Sequence, residues 1–479
     1  MAGEFLRQHG IDIDSEMARI QFGSTEKKTG EQATHIDVLS NVSLPETERD
    51  TRWDIHLSDG CIRNVVAHED DTPQANTVDG KGALLAPSLC HPHIHIDKAY
   101  LLSHPKYTHL QVEKGDFQEA MDLTGKAKAQ FENDDLLERG QRLVDESVAA
   151  GVTHMRAFVE VDAGVHLKCL DAGIQLQQRA AEDAVCNIQI CAFAQLPLFS
   201  PSAGDEEGAV IRDLMRQAAA SPGVTVIGST PYVENDREKM QRNVEWMIDL
   251  SIEHNAHLDF HLDYNLDQDV EPLVWFVVQS LKEKSWKDRT SNATIVLGHC
   301  TRLTLFSEAQ WKKLAQTIKD AQLPISFVGL PSSDLFMMRT GKHPEIRGTL
   351  DVPRLIKEYD LNACIGVNNI GNAFTPQGTC DPLGLACQGV GIYQAGTTRD
   401  TEILYECVST RARAAIGFGR RDVEEASLAL KPGDKADLLL FKAADPSWRT
   451  RTSVSEAVYL HDHGQGRAPF LDGRMIRSP

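Results

Sequence analysis

Eight β-type runs alternate with helix-type stretches through the middle of this sequence, and this alternation constrains the fold more than any other feature. The runs lie between Leu89 and about Val367 and read LCHPHIHI, VTHMRAFVEV, NIQICAFA, VTVIGS, AHLDFHL, ATIVLG, ISFVGL and NACIGV. Strands that alternate with helices pair in parallel, because each helix returns the chain to the same edge of the sheet. Eight such units over roughly 280 residues match an α/β fold of the (β/α)8 TIM-barrel type better than an open doubly wound sheet.

The helix signals between these runs are well defined. DDLLERGQRLVDESVAAG, before the second run, has acidic residues at its start and Gly151 at its end. SEAQWKKLAQTIKDA, before the seventh, opens with Ser307 as a predicted N-cap. No GxGxxG motif follows the first run, which argues against a dinucleotide-binding fold.

Shorter β-type runs flank the barrel region on both sides. IDVLSNV, TRWDIHLSDG, IRNVVAH and ALLAPSL precede it, and LKPGDKADLLLFKA, VSEAVYLHD and APFLDGRMI follow a helical stretch around residues 402–416. We therefore predict a polar N-terminal segment at 1–35, a small β-sandwich domain from 36–86 plus 425–479, and a barrel domain at 87–424. VSEAVYLHD is included here as a strand.

Composition narrows the class of partner and the compartment. The net charge of −20 argues against nucleic acid or an anionic membrane and favours a small neutral or cationic ligand. The first residues lack a signal-peptide pattern, and no window has the apolar length of a membrane helix, so we expect a cytoplasmic protein. Ten cysteines without a CxxC pair indicate reduced, buried thiols. Association into a homo-oligomer is compatible with this composition, but no sequence feature requires it.

Polar residues fall where the predicted strands end, which is the active-site end of a TIM barrel. They are His93 and His95 on the first strand, Gln195 on the third, His261 on the fifth, His299 on the sixth, and Asn368 and Asn369 on the eighth.

The first-strand histidines have the spacing of metal ligands. His93 and His95 are two residues apart, so both imidazoles point to one side of an extended strand and can hold one metal ion. A third nitrogen from His261 would complete a site for zinc or iron with a position left open for water. For a lone HxH, histidines that merely pack are the better interpretation, but the placement at a strand end favours ligands.

An ordered series of motifs resembles the cytosine deaminase branch of the amidohydrolase superfamily, which also includes amidohydrolases acting on triazine rings. The series comprises PHIHIDK at 92–98, AFAQ ending at Gln195, GSTPYVE at 228–234, FHLD at 260–263, GHC at 298–300, GVNN at 366–369, and PGDKADLLLF near the C-terminus. The similarity spans about residues 36–479.

The resemblance implies a metal-dependent hydrolase that acts on a non-peptide C–N bond of a small cyclic amidine or N-heterocycle. It implies His93, His95 and His261 as metal ligands, with the position of Asn368 completing the set. It also implies that His299 contacts the attacking water and that Gln195 hydrogen-bonds the substrate. Asn369 and Tyr264 are further predicted substrate-binding residues.

Two acidic residues of the family are replaced in this sequence. Asn368 and Asn369 lie where the family has a pair of acids, and Tyr264 lies where it has a proton-shuttling glutamate. A carboxamide can offer an oxygen to a metal, but it cannot accept a proton near neutral pH. Asp263, two residues after His261, is a candidate replacement base, and an aspartate that caps the loop is an equally good interpretation.

Four further charged residues lie near the predicted site. Asp97 and Lys98 would orient the first-strand histidines or close the rim by a charge pair, and a surface salt bridge is the alternative. Glu160 and Asp162 follow the second strand without an assigned role.

Three functions remain open from the sequence. The first is the metal-dependent hydrolase with altered proton management. The second is a catalytically impaired barrel that binds a small ligand, suggested by Asn368, Asn369 and Tyr264. The third is a lyase or isomerase that uses the metal as a Lewis acid.

Overall fold

The barrel and its flanking sheets fall within the residues that the computed structural model describes. These are 36–69, 76–341, 343–419, 426–462, 464 and 466–476. The polar segment predicted at 1–35 lies outside the described residues.

Eight parallel strands form one sheet in chain order, and each corresponds to one of the eight predicted runs. They are β6 (Leu89–His95), β7 (Val152–Glu160), β8 (Asn187–Ala194), β9 (Val224–Ser229), β10 (His257–Leu262), β11 (Ile295–His299), β12 (Ile325–Gly329) and β13 (Ala363–Ile365). The backbone of Asn368 closes the sheet, because its N–H donates to the His93 carbonyl at 3.1 Å and its carbonyl accepts from the His95 N–H at 2.8 Å. The TIM-barrel prediction is confirmed.

Helices surround the sheet, and most of them bury apolar residues in the core around it. They are α1 (Phe117–Lys128), α2 (Asn133–Ala149), α3 (Lys168–Glu182), α4 (Ala209–Ala219), α5 (Arg237–His254), α6 (Val274–Glu283), α7 (Trp286–Arg289), α8 (Glu308–Asp320), α9 (Pro331–Met337), α10 (Val352–Tyr359), α11 (Pro382–Ile392), α12 (Thr398–Glu406), α13 (Thr410–Ala415) and α14 (Val454–Tyr459). Ser307 caps α8 in a capping box with Gln310, as its position predicted. Within the described ranges, no helix has both the length and the apolar character needed to cross a membrane.

Two four-stranded sheets from the ends of the described chain share an apolar core. Their strands are β1 (Val38–Val42), β2 (Trp53–Ser58), β3 (Cys61–Ala67), β4 (Thr77–Asp79), β5 (Leu85–Pro87), β14 (Leu438–Phe441), β15 (Arg467–Leu471) and β16 (Arg474–Met475). One sheet has the order β3-β2-β1-β4 and the other the order β16-β15-β14-β5. Leu39 and Ile55 of the first sheet pack in one cluster with Leu438 and Phe470 of the second. The accessory β-sandwich is therefore built from N- and C-terminal segments, as predicted.

The prediction of a strand at VSEAVYLHD is wrong, because this segment contains helix α14. The Ser453 side chain accepts a hydrogen bond from the Glu456 N–H at 3.3 Å and so caps the first turn. Val454, Ala457 and Val458 are buried on one face at helical spacing. Serine at the N-cap followed by this spacing was a helix signal.

Candidate active site

Three buried histidines converge at the carboxyl ends of β6 and β10. His261 Nε2 lies 3.1 Å from His93 Nε2 and 3.1 Å from His95 Nε2. The Nδ1 atoms of all three are buried and have no hydrogen-bond partner within the described part of the chain. Gly298 on β11 makes room for this arrangement, because a Cβ there would lie 3.2 Å from His93 Cε1.

Aromatic rings form the floor beneath the histidines. Phe158 lies 4.2 Å from His93 and Phe193 lies 4.3 Å from His261, measured between ring centroids. Burial lowers the pKa of His93, His95 and His261 well below the ordinary 6.5. The three imidazoles are therefore neutral, which is the protonation state that ligates a metal.

Asn368 places a carboxamide beside this triad. Its Nδ2 donates to Ser333 Oγ at 2.8 Å, and its Oδ1 is buried with no partner among the described residues. Its backbone has a positive φ of 69°, a conformation that asparagine tolerates better than most residues. Three converging imidazole nitrogens and an unpartnered amide oxygen fit a divalent transition metal of the zinc or ferrous type.

His299 is held by a carboxylate that follows the next strand. Its Nδ1 hydrogen-bonds Asp334 Oδ1 at 2.8 Å, while Asp334 Oδ2 accepts from Thr349 Oγ1 at 2.8 Å. Burial raises the pKa of Asp334, and the hydrogen bond to His299 opposes that rise. The Tyr264 ring packs on His299 with centroids 4.0 Å apart. This bond leaves His299 Nε2 available to a ligand in the cavity that His299 lines.

Asp263 directs its carboxylate at the main chain. Oδ1 accepts from the Leu273 N–H at 2.7 Å and Oδ2 from the Val274 N–H at 3.0 Å, at the start of α6. These contacts are those of the loop-capping interpretation. Asp263 is absent from the cavity lining, whereas the neighbouring Tyr264 is part of it.

Lys98 connects the barrel mouth to a buried ionic network. Its Nζ lies 2.7 Å from Glu160 Oε1 and 3.4 Å from Gln195 Oε1. Lys128 contacts both Glu160 and Asp162. Because the side chain of Lys98 is only 2% exposed, the alternative of a surface salt bridge is wrong.

Asp97 supports the same region through the backbone. Its Oδ2 accepts from the Glu160 N–H at 2.7 Å, which ties the end of β6 to the end of β7. Asp97 is buried and does not line the cavity. It therefore fixes the strand end that carries His95.

Most of the predicted residues line one cavity at the barrel mouth, whereas His93 and Asp263 are not part of its lining. Its lining comprises His95, Lys98, Phe117, Gln195, Tyr232, His261, Tyr264, His299, Ser333, Asn368, Asn369 and Phe374. Of these, Phe117, Tyr232, Ser333 and Phe374 were not among the sequence candidates. Asp334 was also missed, although it lies in PSSD just after the seventh strand, where strand-end reasoning could have found it.

A second cavity, of about 390 Å³, lies at the opposite, amino-terminal ends of the strands. Pro87, Thr294 and Pro324, each close before a strand, are among its lining residues. It contains none of the predicted ligands, and barrel chemistry takes place at the other end. We therefore place the candidate site at the histidine triad.

Comparison with known proteins identifies the fold. No family model and no curated protein matches the sequence. Among solved structures, 5-methylcytosine deaminase from Klebsiella pneumoniae, liganded with 5-fluorocytosine, has a TM-score of 0.77 at 22% identity, covering 92% of this chain and 97% of that one. N-isopropylammelide isopropylaminohydrolase from Burkholderia multivorans has a TM-score of 0.70 at 18% identity, covering 92% and 97%. An adenosine deaminase from Xanthomonas campestris with bound zinc has a TM-score of 0.58 at 16% identity, covering 93% of each chain. This chain has the fold of the cytosine deaminase-like amidohydrolases.

Proposed function

We propose that this protein is a metal-dependent hydrolase that cleaves a C–N bond of a small N-heterocycle. The observation that carries the proposal is the convergence of three neutral imidazoles at the barrel mouth, where the His299–Asp334 pair also lies. The deaminase and hydrolase names of the similar folds support the same class of reaction.

The chain supplies a complete set of metal donors. His93, His95 and His261 would hold the ion, and the free Oδ1 of Asn368 would be the fourth donor. A bound divalent metal supplies Lewis acidity that makes water a nucleophile near neutral pH. With Asn368 in place of an acid, the donor set carries no negative charge, which favours a neutral or anionic group on the open side.

His299 is the residue that would transfer the proton. In the hydrolysis, a water oxygen bonds to the ring carbon and the C–N bond breaks. One proton of the water ends on the departing nitrogen, and the other stays with the product, on its oxygen or on a ring nitrogen. Asn368 cannot accept a proton, and burial raises the pKa of Tyr264 well above 10, so its phenol stays protonated. His299 donates Nδ1–H to Asp334 and thereby keeps Nε2 as an acceptor that can take the proton and pass it on.

A second candidate is a barrel that binds a heterocycle without turnover. Asn368 and Tyr264 favour it, because both replace groups that would otherwise carry protons. This candidate shares the fold and the cavity with the first and differs only in the chemistry.

Metal content and product formation separate the two candidates. The wild type, purified without added metal, and His93→Ala should be compared for zinc and iron per chain. Ammonia or amine release from cytosine, triazines and cyclic amidines should be measured in labelled water. His91→Ala is a matched control, because His91 contacts Ser147 at 3.2 Å and lies outside the triad.

We expect about one metal per chain in the wild type and His91→Ala, and none in His93→Ala, with labelled oxygen in the product only when metal is present. A wild type that retains neither zinc nor iron after loading would contradict both the metal site and the hydrolase. Metal binding without any turnover would favour the second candidate.

A further inference from the structure

Three polar side chains that line the cavity, those of Lys98, Gln195 and Asn369, present hydrogen-bond donors to a ligand. We propose that the site selects a heterocycle whose exocyclic groups are oxo groups over one whose exocyclic groups are amino groups. This inference rests on the proposed function for the existence of the site, and it concerns specificity.

Lys98 fixes the orientation of the Gln195 amide. An ammonium group can only donate hydrogen bonds, so the Gln195 atom 3.4 Å from Lys98 Nζ is the carbonyl oxygen. The amide NH2 of Gln195 then points away from Lys98, with one N–H directed at the Tyr232 hydroxyl and the other left for a ligand in the cavity. A glutamine that is free to turn could serve either a donor or an acceptor, whereas this one offers N–H.

Asn372 fixes the orientation of Asn369 in the same way. Asn372 Oδ1 accepts from the N–H groups of Phe374 at 3.0 Å and Thr375 at 3.1 Å, so its Nδ2 must donate. That Nδ2 donates to Asn369 Oδ1 at 2.8 Å. The Asn369 oxygen is therefore occupied, and its NH2 group is left for the cavity that Asn369 lines.

Among the described residues that line the cavity, none carries a carboxylate. The carboxylate of Glu160 binds Lys98 and does not line the cavity. The carboxylate of Asp263 binds the main chain, and it is the neighbouring Tyr264 that lines the cavity. The phenol of Tyr264 stays protonated because burial raises its pKa. The cavity lining therefore has no acidic group although the whole chain has a net charge of −20, and it favours a neutral or anionic ligand where the net charge had favoured a neutral or cationic one.

An exocyclic amino group that faces these amides would place its N–H donors against their N–H donors, so no hydrogen bond would form. An oxo group, or the anion that a cyclic imide forms on losing a proton, accepts from Lys98, Gln195 and Asn369 instead. The loss of acids at the positions of Asn369 and Tyr264 is then a change of specificity, because an acid is the group that recognises an amino substituent.

Cyanuric acid and melamine are matched probes for this test. Both are symmetric triazines, with three oxo groups or three amino groups, so the pose of the ring does not affect which exocyclic group meets the lining. Binding to the zinc-loaded full chain should be measured by calorimetry. We expect cyanuric acid to bind roughly tenfold tighter or more, since one charge-assisted hydrogen bond accounts for that ratio. Equal binding, a preference for melamine, or no binding of cyanuric acid would overturn the proposal.

Two variants test the residues responsible. Lys98→Met should remove most of the preference by weakening cyanuric acid. Asn369→Asp keeps an acceptor for Asn372 and adds a carboxylate, so it should strengthen melamine and weaken cyanuric acid. Asn369→Asp decides the matter if Lys98→Met does not fold, and an unchanged ratio in a folded Asn369→Asp would overturn the proposal.

Binding and turnover remain separate readouts in this design. Ammonia release from ammelide, which carries two oxo groups and one amino group, reports on the hydrolase. A preference for cyanuric acid without ammonia release would support the specificity and count against hydrolysis. Ammonia release together with a preference for melamine would support the hydrolysis and contradict the proposed specificity.

Discussion

The segment after β10 and the segment after β12 both carry a buried aspartate at the barrel mouth, yet the two aspartates have different partners. Asp263, after β10, accepts from two main-chain N–H groups at the start of α6. Asp334, after β12, binds His299, a residue that lines the cavity. The aspartate next to the metal-ligand motif in sequence is thus occupied by the main chain, whereas the distant one reaches the candidate catalytic histidine.

Position in the barrel, rather than closeness in sequence, therefore decides which acid contacts the site. His261 and Asp263 share a strand end, but a positive φ of 49° at Asp263 turns the chain out of the strand. The strand alternation that would have kept both side chains on one face therefore stops at this residue. The segment after β12 instead folds back over the cavity as α9, which carries both Ser333 and Asp334.

The largest effect should come from Asp334→Asn. The amide can no longer hold His299 in the tautomer that keeps Nε2 as acceptor, so kcat should fall about a hundredfold to ten thousandfold. Metal content should stay at the wild-type value, which is measured alongside. Thr349→Val removes only one of the two hydrogen bonds that Asp334 Oδ2 accepts, the other coming from the Leu330 N–H, and it should cost far less. A kcat that Asp334→Asn leaves intact would place proton transfer elsewhere.

The second largest effect is expected at Asn368, whose amide donates to Ser333 of α9. Asn368→Asp puts an anionic oxygen beside the triad, where Ser333 Oγ can donate to it. We expect zinc affinity to rise by about tenfold or more, because a carboxylate attracts a dication more strongly than an amide does. Competition with a chromogenic chelator measures this. Ser333→Ala, which changes no charge, should alter the affinity less, and a weaker Asn368→Asp site would show that Asn368 is not a donor.

The fold was largely predictable from the sequence, because it depends on local patterns. Each of the eight runs became one strand, and Ser307 became the N-cap of α8. The triad was predictable as well, since an HxH pair at a strand end and a histidine on another strand must meet once a barrel closes.

Partners and orientations were not predictable, because they depend on contacts between distant segments. Asp334 lies 35 residues from His299 in sequence, so its position after a strand could indicate a site residue but not that His299 is its partner. The orientation of Asn369 depends on Asn372, which is itself fixed by two main-chain N–H groups. The choice between base and cap for Asp263 needed the positions of Leu273 and Val274.

Asp263→Asn tests, through the stability of the protein, whether Asp263 caps the main chain. The asparagine NH2 would face one of the two N–H groups that the carboxylate now satisfies, leaving a buried donor unpaired. The unfolding free energy should fall by about 1–3 kcal/mol in urea denaturation. The kcat of the folded protein should fall far less than in Asp334→Asn. A collapse of kcat with intact stability would instead support Asp263 as the base.

The smallest effect is expected at a third carboxylate of the barrel mouth, Glu160, whose partners are lysines. Burial by itself would raise the pKa of Glu160, but Lys128 and Lys98 outweigh burial and lower it from 4.5 to about 2. Ionised Glu160 therefore stabilises the fold above about pH 4.5, and this stabilisation is lost as the pH falls toward 2. Asp97 acts in the opposite sense between pH 3.8 and about 6, because burial and Glu160 raise its pKa to about 6.

Below pH 3.8 Asp97 is protonated in both the folded and the unfolded state, so it no longer opposes Glu160, and other carboxylates with a lowered pKa, such as Asp381, cancel when the wild type is compared with Glu160→Gln. With a chelator present to remove metal effects, the unfolding free energy of the wild type should fall more steeply there than that of Glu160→Gln, by at most about 1.4 kcal/mol per pH unit. Glu245→Gln, the same change at an exposed position of α5, should follow the wild type. Parallel curves for Glu160→Gln and the wild type would mean that the lysines do not hold Glu160 ionised. Only two roles for an acid at the barrel mouth would then remain, the capping of main-chain N–H groups by Asp263 and the orientation of His299 by Asp334.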